Sequence, residues 1–437
     1  MQNIASEVFK DSDCLPEAAR PVWMAGAPLP MDAFNALRRR ALLEHCKWDP
    51  QVGDVGTLAS FPLIMGRETW KTLASLAEAL GYETLAAEQE ILQRPDLMKR
   101  IGLPRRICKA LQKVPESGLT AEAARVMRYD FHLTTEGWRI SELNSDVPGG
   151  FTEASSYTQM MAAHYAGALP AGDPVADWCG AVSKAAGGDG TIALLTASGF
   201  MEDHQIMAYL ARHLNASGCT THLANPQQLE WSDGFASLNS AWHSGRIDAI
   251  VRFYQGEWLA KLPETCGWHY FFAGGKTPVG NPGCAIISES KRFPLVWDDL
   301  ETRLPTWRRL LPETRDPRDA PWQTDDGWLL KSALCNTGDT VSIRSALSDK
   351  AWRAVSREVR WWPKQWVAQR RFQSVALMTP IGPMHPCVGV YTINGRVAGA
   401  YTRITAGSVI DFAAIDIALL VEDAACAESK LSEGFNE

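Results

Sequence analysis

Two acidic residues, an amide and an arginine recur at alternate positions in this chain: Arg128 and Asp130 in Arg128-Tyr129-Asp130-Phe131-His132, then Glu142 and Asn144 in Glu142-Leu143-Asn144-Ser145-Asp146-Val147-Pro148-Gly149-Gly150. Side chains alternate faces along a strand, so each pair shares one face. Val126 to Leu133 and Trp138 to Leu143 are rich in apolar and aromatic residues, and Thr134-Thr135-Glu136-Gly137 between them is a turn signal, which predicts a hairpin. If His132 pairs with Trp138 across a five-residue loop, all four polar residues fall on one side of the sheet, with neighbours roughly 5 to 8 Å apart at Cβ. Magnesium takes hard oxygen donors of this kind, usually one or two carboxylates together with substrate phosphates. Arg128 beside them would bind the terminal phosphate. The plainer alternative is the solvated face of a half-buried sheet. The sequel counts against it, because Thr152-Glu153 has the form of an N-cap and acidic first turn of a helix reaching about Ala166. Free N–H groups at that helix start would suit an anion.

These residues need a framework. Up to about residue 115 the pattern is helical, with apolar residues at three- and four-residue spacing in Met31 to His45, Arg67 to Ala79, Ala86 to Ile91 and Leu97 to Lys113, and a break from Pro50 to Pro62. A small-residue linker, Ser183 to Gly190, follows the predicted hairpin and helix. Beyond it strand and helix alternate: Thr191 to Thr196, the helix Glu202 to Asn215, Thr220 to Leu223 and Ile247 to Phe253, as in an open α/β layer. From about Gly327 strands return, in Trp328 to Ala333, Thr340 to Ile343, Trp366 to Phe372, Cys387 to Ile393 and Ala398 to Ile404. Asn394-Gly395 between the last two is the strongest short turn signal in the chain. The expected organisation is therefore a mixed α+β and α/β fold in four stretches: a helical 1–115, the hairpin and its helix in 116–187, a Rossmann-like layer in 188–290, and a nucleotide-binding region in 291–437. From about Glu428 the chain looks frayed.

Composition narrows the function. The 437 residues suffice for two or three packed domains, and 46% hydrophobic with 21% charged residues is ordinary for a globular protein. A net charge of −7 offers no basic face for phosphodiester backbones, so small molecules rather than nucleic acid are the expected partners. The ten cysteines show no CxxC pair, which argues against a zinc site and a disulfide framework. They read as reduced thiols in a cytoplasmic protein. No basic region followed by an apolar run opens the chain, and no stretch of about 18 apolar residues occurs, so no membrane partner is expected. Most of the 17 tryptophans read as core and interdomain packing.

Arg-x-Asp-Phe, a short turn, then Glu-x-Asn-x-Asp-x-Pro resembles the metal and nucleotide signature of the glutathionylspermidine synthetase family, ATP-grasp relatives that join a carboxylate to an amine. The twelve-residue gap from Asp130 to Glu142 is similar to the family's. The resemblance implies ATP and Mg²⁺ as cofactors, with Asp130, Glu142 and Asn144 as metal ligands and Arg128 on the transferred phosphate. A lysine at a strand end commonly snorkels to solvent. Here, however, Trp328-Leu329-Leu330-Lys331 looks like the family's strand lysine ahead of a phosphate-covering loop. The loop Cys335-Asn336-Thr337-Gly338-Asp339 departs from the family's Gly-Arg-Glu-Gly pattern and keeps Gly338. Ser288-Glu289-Ser290-Lys291 resembles the other nucleotide lysine, and Gln369 joins Lys291, Lys331 and Gly338 among the implied nucleotide contacts. Met201-Glu202-Asp203-His204 resembles the acidic pair lining the substrate cleft, and Ser145 is placed with them. Acidic residues also simply suit a helix N-terminus. Arg252 to Leu259 resembles a strand-to-turn element with a Glu-Trp pair, to which no chemistry is assigned. Arg403, ending the hairpin through Asn394-Gly395, would meet the substrate carboxylate or acyl phosphate, unless it is a charge on an edge strand. The implied partners are a carboxylate, such as a peptide or thiol peptide, and an amine, such as a polyamine; the family's amidase domain is not expected. Two other classes are the alternatives: a nucleotide-binding protein without catalysis, and a dinucleotide-dependent oxidoreductase, for which Thr196-Ala197-Ser198-Gly199 lacks the spaced glycines.

Overall fold

The computed structural model describes residues 22–49, 51–52, 55–114, 124–334, 341–407, 409–410 and 413–423. The expected loop at 335–339, with Gly338, the first residue of the strand expected from Thr340, and the tail beyond Glu428 lie outside them. Val126–Thr134 and Gly137–Asn144 form the first hairpin, as the alternation required. Gly382–Ile393 and Arg396–Thr405 form a second, closed by Asn394 and Gly395, both at positive φ (48° and 80°), the backbone a type I′ turn demands. The two hairpins pair through Val126 to Phe131 against Val388 to Ile393, and Leu377–Thr379 and Ile415–Ile417 complete a six-stranded antiparallel sheet.

The first hairpin differs in register from the expectation. His132 pairs with Arg139, not Trp138, and the strands are joined by a tighter turn with Thr134 opposite Gly137. A one-residue shift lies between Tyr129 and Phe131, so that past it Arg128 stands directly opposite Asn144. That bulge restores the even-numbered residues of both strands to one face. The convergence read from the sequence therefore survives through a different pairing.

A second antiparallel sheet lies across from this face, in the order Thr314–Arg315, Trp366–Arg370, Trp328–Ser332, Val341–Ser342. Trp322, Trp328 and Trp366 pack with Val359 of the helix Asp349–Trp361 beneath it. A third sheet is parallel, Val279–Gly280, Ala249–Phe253, Thr191–Thr196 and Thr220–Ala224 in that order, with the helix Met201–Ala216 connecting the last two. An antiparallel meander, Leu229–Ser232, Phe235–Asn239 and Ser244–Arg246, follows it and had no clear sequence signal.

The stretches read along the chain are shared between sheets. Leu63–Met65 pairs with Leu419–Glu422, which also pairs with Ala168–Pro170, and the two site hairpins come from 116–187 and 291–437. Arg67 to Leu92 is one helix of 26 residues, not two, because Leu73, Ala77, Leu80, Thr84, Ala87 and Ile91 form one continuous buried stripe that overrides Gly81. The expected helix from Leu97 to Lys113 is instead Pro95–Met98 and Arg105–Leu111, interrupted at Gly102, which has positive φ, and at Pro104. Thr152 is already helical and does not cap; a π-helical turn, Glu153–Tyr157, runs into Thr158–Ala162, where the helix ends four residues short of Ala166. Trp297 and Trp307 are buried as expected, whereas Trp242, Trp361 and Trp362 are exposed.

Candidate functional site

Between the six-stranded sheet and the Trp328–Ser332 sheet opens a cleft of about 770 Å³, lined by Asp130, Glu142, Lys331, Gln369 and Arg403 among others. Asp130 sits at its floor. Arg128 grips it from behind, Nε donating to Oδ1 at 2.8 Å and Nη2 to Oδ2 at 3.1 Å. Arg403 donates to Oδ2 at 3.2 Å, and the Asn144 amide approaches the same oxygen at 3.4 Å. Burial would raise the Asp130 carboxyl, but Arg128, with help from Arg403, outweighs it and holds the group below its ordinary value. The sheet makes room for this arrangement at Gly389, directly opposite Asp130, where a Cβ would lie 2.7 Å from Arg128 Cδ and 2.9 Å from Asp130 Oδ1.

Glu142 faces the cleft and pairs with Lys291 at 3.4 Å. Burial again pushes its carboxyl up, and Lys291 and Lys331 more than reverse the effect. Lys331 donates to the Ser141 carbonyl at 2.8 Å, a contact that joins the two sheets at the bulge. Its burial lowers the ammonium to about 8. Tyr401 separates the two arginines, each guanidinium carbon 5.2 Å from its ring centroid. Gly150 admits that ring, since a Cβ there would lie 2.5 Å from it.

The structure thus brings Asp130, Glu142, Lys331, Gln369 and Arg403 to one cleft. Arg128 and Asn144 stand behind Asp130 rather than at the cleft wall, and Lys291 lines a small neighbouring pocket that shares Glu142 and Gln369. Ser145 is not brought there: it is fully buried, its hydroxyl donating to the Ala285 carbonyl at 2.9 Å and lying 3.0 Å from the Ser288 hydroxyl. Glu202 and Asp203 sit at the start of the helix Met201–Ala216, outside this cleft lining. Both carboxyls are raised by burial, that of Asp203 to about 7 with Glu202 adding to the effect. The turn at Gly149 does not present free donors only, because its carbonyl accepts from Arg128 Nη1 at 2.8 Å.

Sequence reasoning passed over His132 and Cys387, which also line the cleft. His132 faces Ser141, 3.1 Å from its hydroxyl, and burial lowers its imidazole to about 4 so that it stays neutral. Its even number, two past Asp130, was the available signal.

Among the described residues no group of three or more His, Cys, Asp or Glu side chains gathers to hold a metal unaided. Asp130 and Glu142 nonetheless supply two hard carboxylates to one cleft, with the Asn144 amide beside them, a donor set that suits magnesium shared with phosphates rather than an all-protein cage.

The glutathionylspermidine synthase preATP-grasp family matches residues 64–418. The chain belongs to that family. No curated protein matches it. A glutathione synthetase-like effector from Globodera pallida in its apo form shares the fold, with a TM-score of 0.61 and 10% identity over 89% of this chain and 96% of that one. A putative gamma-glutamylcysteine synthetase from Methylobacillus flagellatus aligns with a TM-score of 0.38 and 11% identity over 75% and 83% of the two chains. The matched region includes both hairpins of the six-stranded sheet. No helix among the described residues is long and apolar enough to cross a membrane.

Proposed function

We propose that this family member is an ATP-dependent carboxylate–amine ligase that forms an amide through an acyl phosphate and releases ADP and phosphate. One observation carries the reading: Asp130, Glu142 and Arg403 on one sheet face Lys331 of the other across a single cleft. Paired carboxylates beside paired cations are what phosphoryl transfer asks of a protein, since its catalysis is mainly positioning and charge stabilisation.

A carboxylate oxygen of the acid substrate attacks the γ-phosphorus of ATP, the bond to the bridging oxygen breaks, and ADP leaves. Lys331, fixed at the bulge by the Ser141 carbonyl, meets the phosphates from the opposite sheet. Gln369, on the neighbouring strand, completes that wall. Arg403 holds the acid's carboxylate and then the acyl phosphate, and Arg128 keeps Asp130 ionised and oriented. Magnesium bound by Asp130, Glu142 and Asn144 would neutralise phosphate charge. Glu202 or Asp203 receives the acceptor's ammonium and takes one proton, and the free amine then attacks the acyl carbon, the C–N bond forming as the C–O bond to phosphate breaks. The family name and the glutathione synthetase-like neighbour support an acid of the glutathione kind.

Calorimetric titration of Mg-ATP into wild type and Glu142→Gln tests the nucleotide site. Micromolar binding that needs magnesium and is lost in the variant supports it. Binding without ADP release on any acid and amine pair would leave a nucleotide-binding protein without catalysis, and AMP in place of ADP would overturn the acyl-phosphate scheme.

A further inference from the structure

Beyond Arg403 the same sheet face runs into a buried charge cluster that the proposed reaction does not use. Arg403 pairs across the sheet with Asp416, and Tyr401 donates its hydroxyl to Asp416 Oδ1 at 2.6 Å. Into this cluster comes Lys47, only 3% exposed, from a segment some 370 residues away along the chain. Its ammonium lies 3.1 Å from Asp49 and 3.4 Å from Asp416, and contacts Glu153 as well. Burial would drive the proton off; Glu153, Asp416 and Asp49 more than reverse that and hold the lysine well above its usual value.

The segment that delivers Lys47 is itself fixed. The Trp48 and Asp49 amides both donate to Gln205 Oε1, at 2.8 and 3.3 Å, and Arg212 donates to the Glu44 carbonyl at 2.6 Å. Gln205 and Arg212 belong to the helix that begins with Glu202 and Asp203. Three carboxylates around one ammonium form a fitted cation cage beside Arg403, and Glu202 at that helix start lies within electrostatic reach of Asp49, Glu153, Lys47 and Arg403.

We infer that Lys47 determines acceptor specificity by filling this cage with the chain's own ammonium, so that an acceptor amine bearing a second cationic group finds no buried carboxylates for it. A second ammonium would meet a like charge at short range and displace a satisfied lysine, which is discrimination by repulsion. The inference rests on the ligase reading for the word acceptor, but the exclusion of an ammonium is a binding property and is testable without nucleotide.

The test is thermal melting of the full chain as wild type, Lys47→Ala and Lys47→Met, with ethylammonium, 1,4-diaminobutane or ethanol. Emptying the cage should let ethylammonium and the diamine raise the melting temperature of Lys47→Ala by a few degrees in a concentration-dependent way, while ethanol does not. Wild type and Lys47→Met, whose side chains fill the space, should respond less, by no more than the acceptor site at Glu202 and Asp203 gives. Diamine stabilisation of wild type equal to that of Lys47→Ala, or none of folded Lys47→Ala by ethylammonium, overturns the inference. If Lys47→Ala does not fold alone, recovery of its circular dichroism by ethylammonium but not ethanol supports it, and no recovery overturns it. With nucleotide present, the KM for the diamine relative to n-butylamine in ADP release should fall at least about tenfold in Lys47→Ala. Absence of ADP release from every variant, with the melting result intact, would count against the ligase reading and not against the cage.

Discussion

Asp130 and Asp146 come from the same short stretch of chain, both are fully buried, and both are held by an arginine, yet they do different things. Asp146 takes Arg252 on one oxygen and the Gly256 amide, at 2.7 Å, on the other. Arg252, itself buried, also donates to the carbonyls of Tyr254 and Asn281, so this pair is closed on all sides and seals the first hairpin against the parallel sheet. Asp130 has as many partners, but it also faces a cleft shared with Glu142, Lys331 and Arg403. An arginine partner and deep burial therefore do not mark a functional acid. What marks it is an open side where other charges converge.

The comparison breaks most sharply at the closed pair. Arg252→Ala leaves Asp146 buried and uncompensated, and should cost about 3–5 kcal/mol in urea unfolding. A loss below 1 kcal/mol would mean that the seam is not a structural lock. Glu142→Gln, on the open side, should instead lower ADP release by about 10² to 10³-fold while the unfolding midpoint stays near wild type. Equal losses of stability in the two variants would erase the distinction. Gly389→Ala drives a methyl group toward both Arg128 and Asp130, and is expected to cost about 1–3 kcal/mol and to weaken Mg-ATP binding measured by calorimetry.

A gentler probe is pH. Burial sets the Lys331 ammonium at about 8, so its charge is present below that pH and lost as pH rises through it. Mg-ATP affinity of wild type should therefore fall between pH 8 and 9, by up to about tenfold per unit, and Lys331→Arg should be flat there because a guanidinium stays charged. The smallest effect belongs to an exposed pair: Lys71→Ala, which removes the surface contact with Glu68, should change unfolding by no more than about 0.5 kcal/mol and leave ADP release untouched.

Period-two alternation made the shared face of Asp130 and Glu142 legible, and Asn394-Gly395 located the second hairpin to the residue. The register was not legible, because the bulge beside Asp130 depends on what packs against the strand rather than on its own residues. Lys331 and Arg403 could be named from local pattern and resemblance, while Ser145 looked available because nothing in the sequence shows the Ala285 and Ser288 groups that enclose it. Tyr401 could have been found, since it shares a face with Arg403.

By itself the sequence determined the local elements and the donor types: which strands alternate, where they turn, and that carboxylates and cations lie on one side. Only the tertiary structure decided that the first hairpin meets the second some 260 residues later, that Lys47 is enclosed by Asp49, Glu153 and Asp416, and that Asp146 is closed while Asp130 is open. The physical reason is range. Strand alternation and turn backbone are set by neighbours a few residues apart, whereas burial, pairing and the charge a group carries are set by whichever distant segments fold against it.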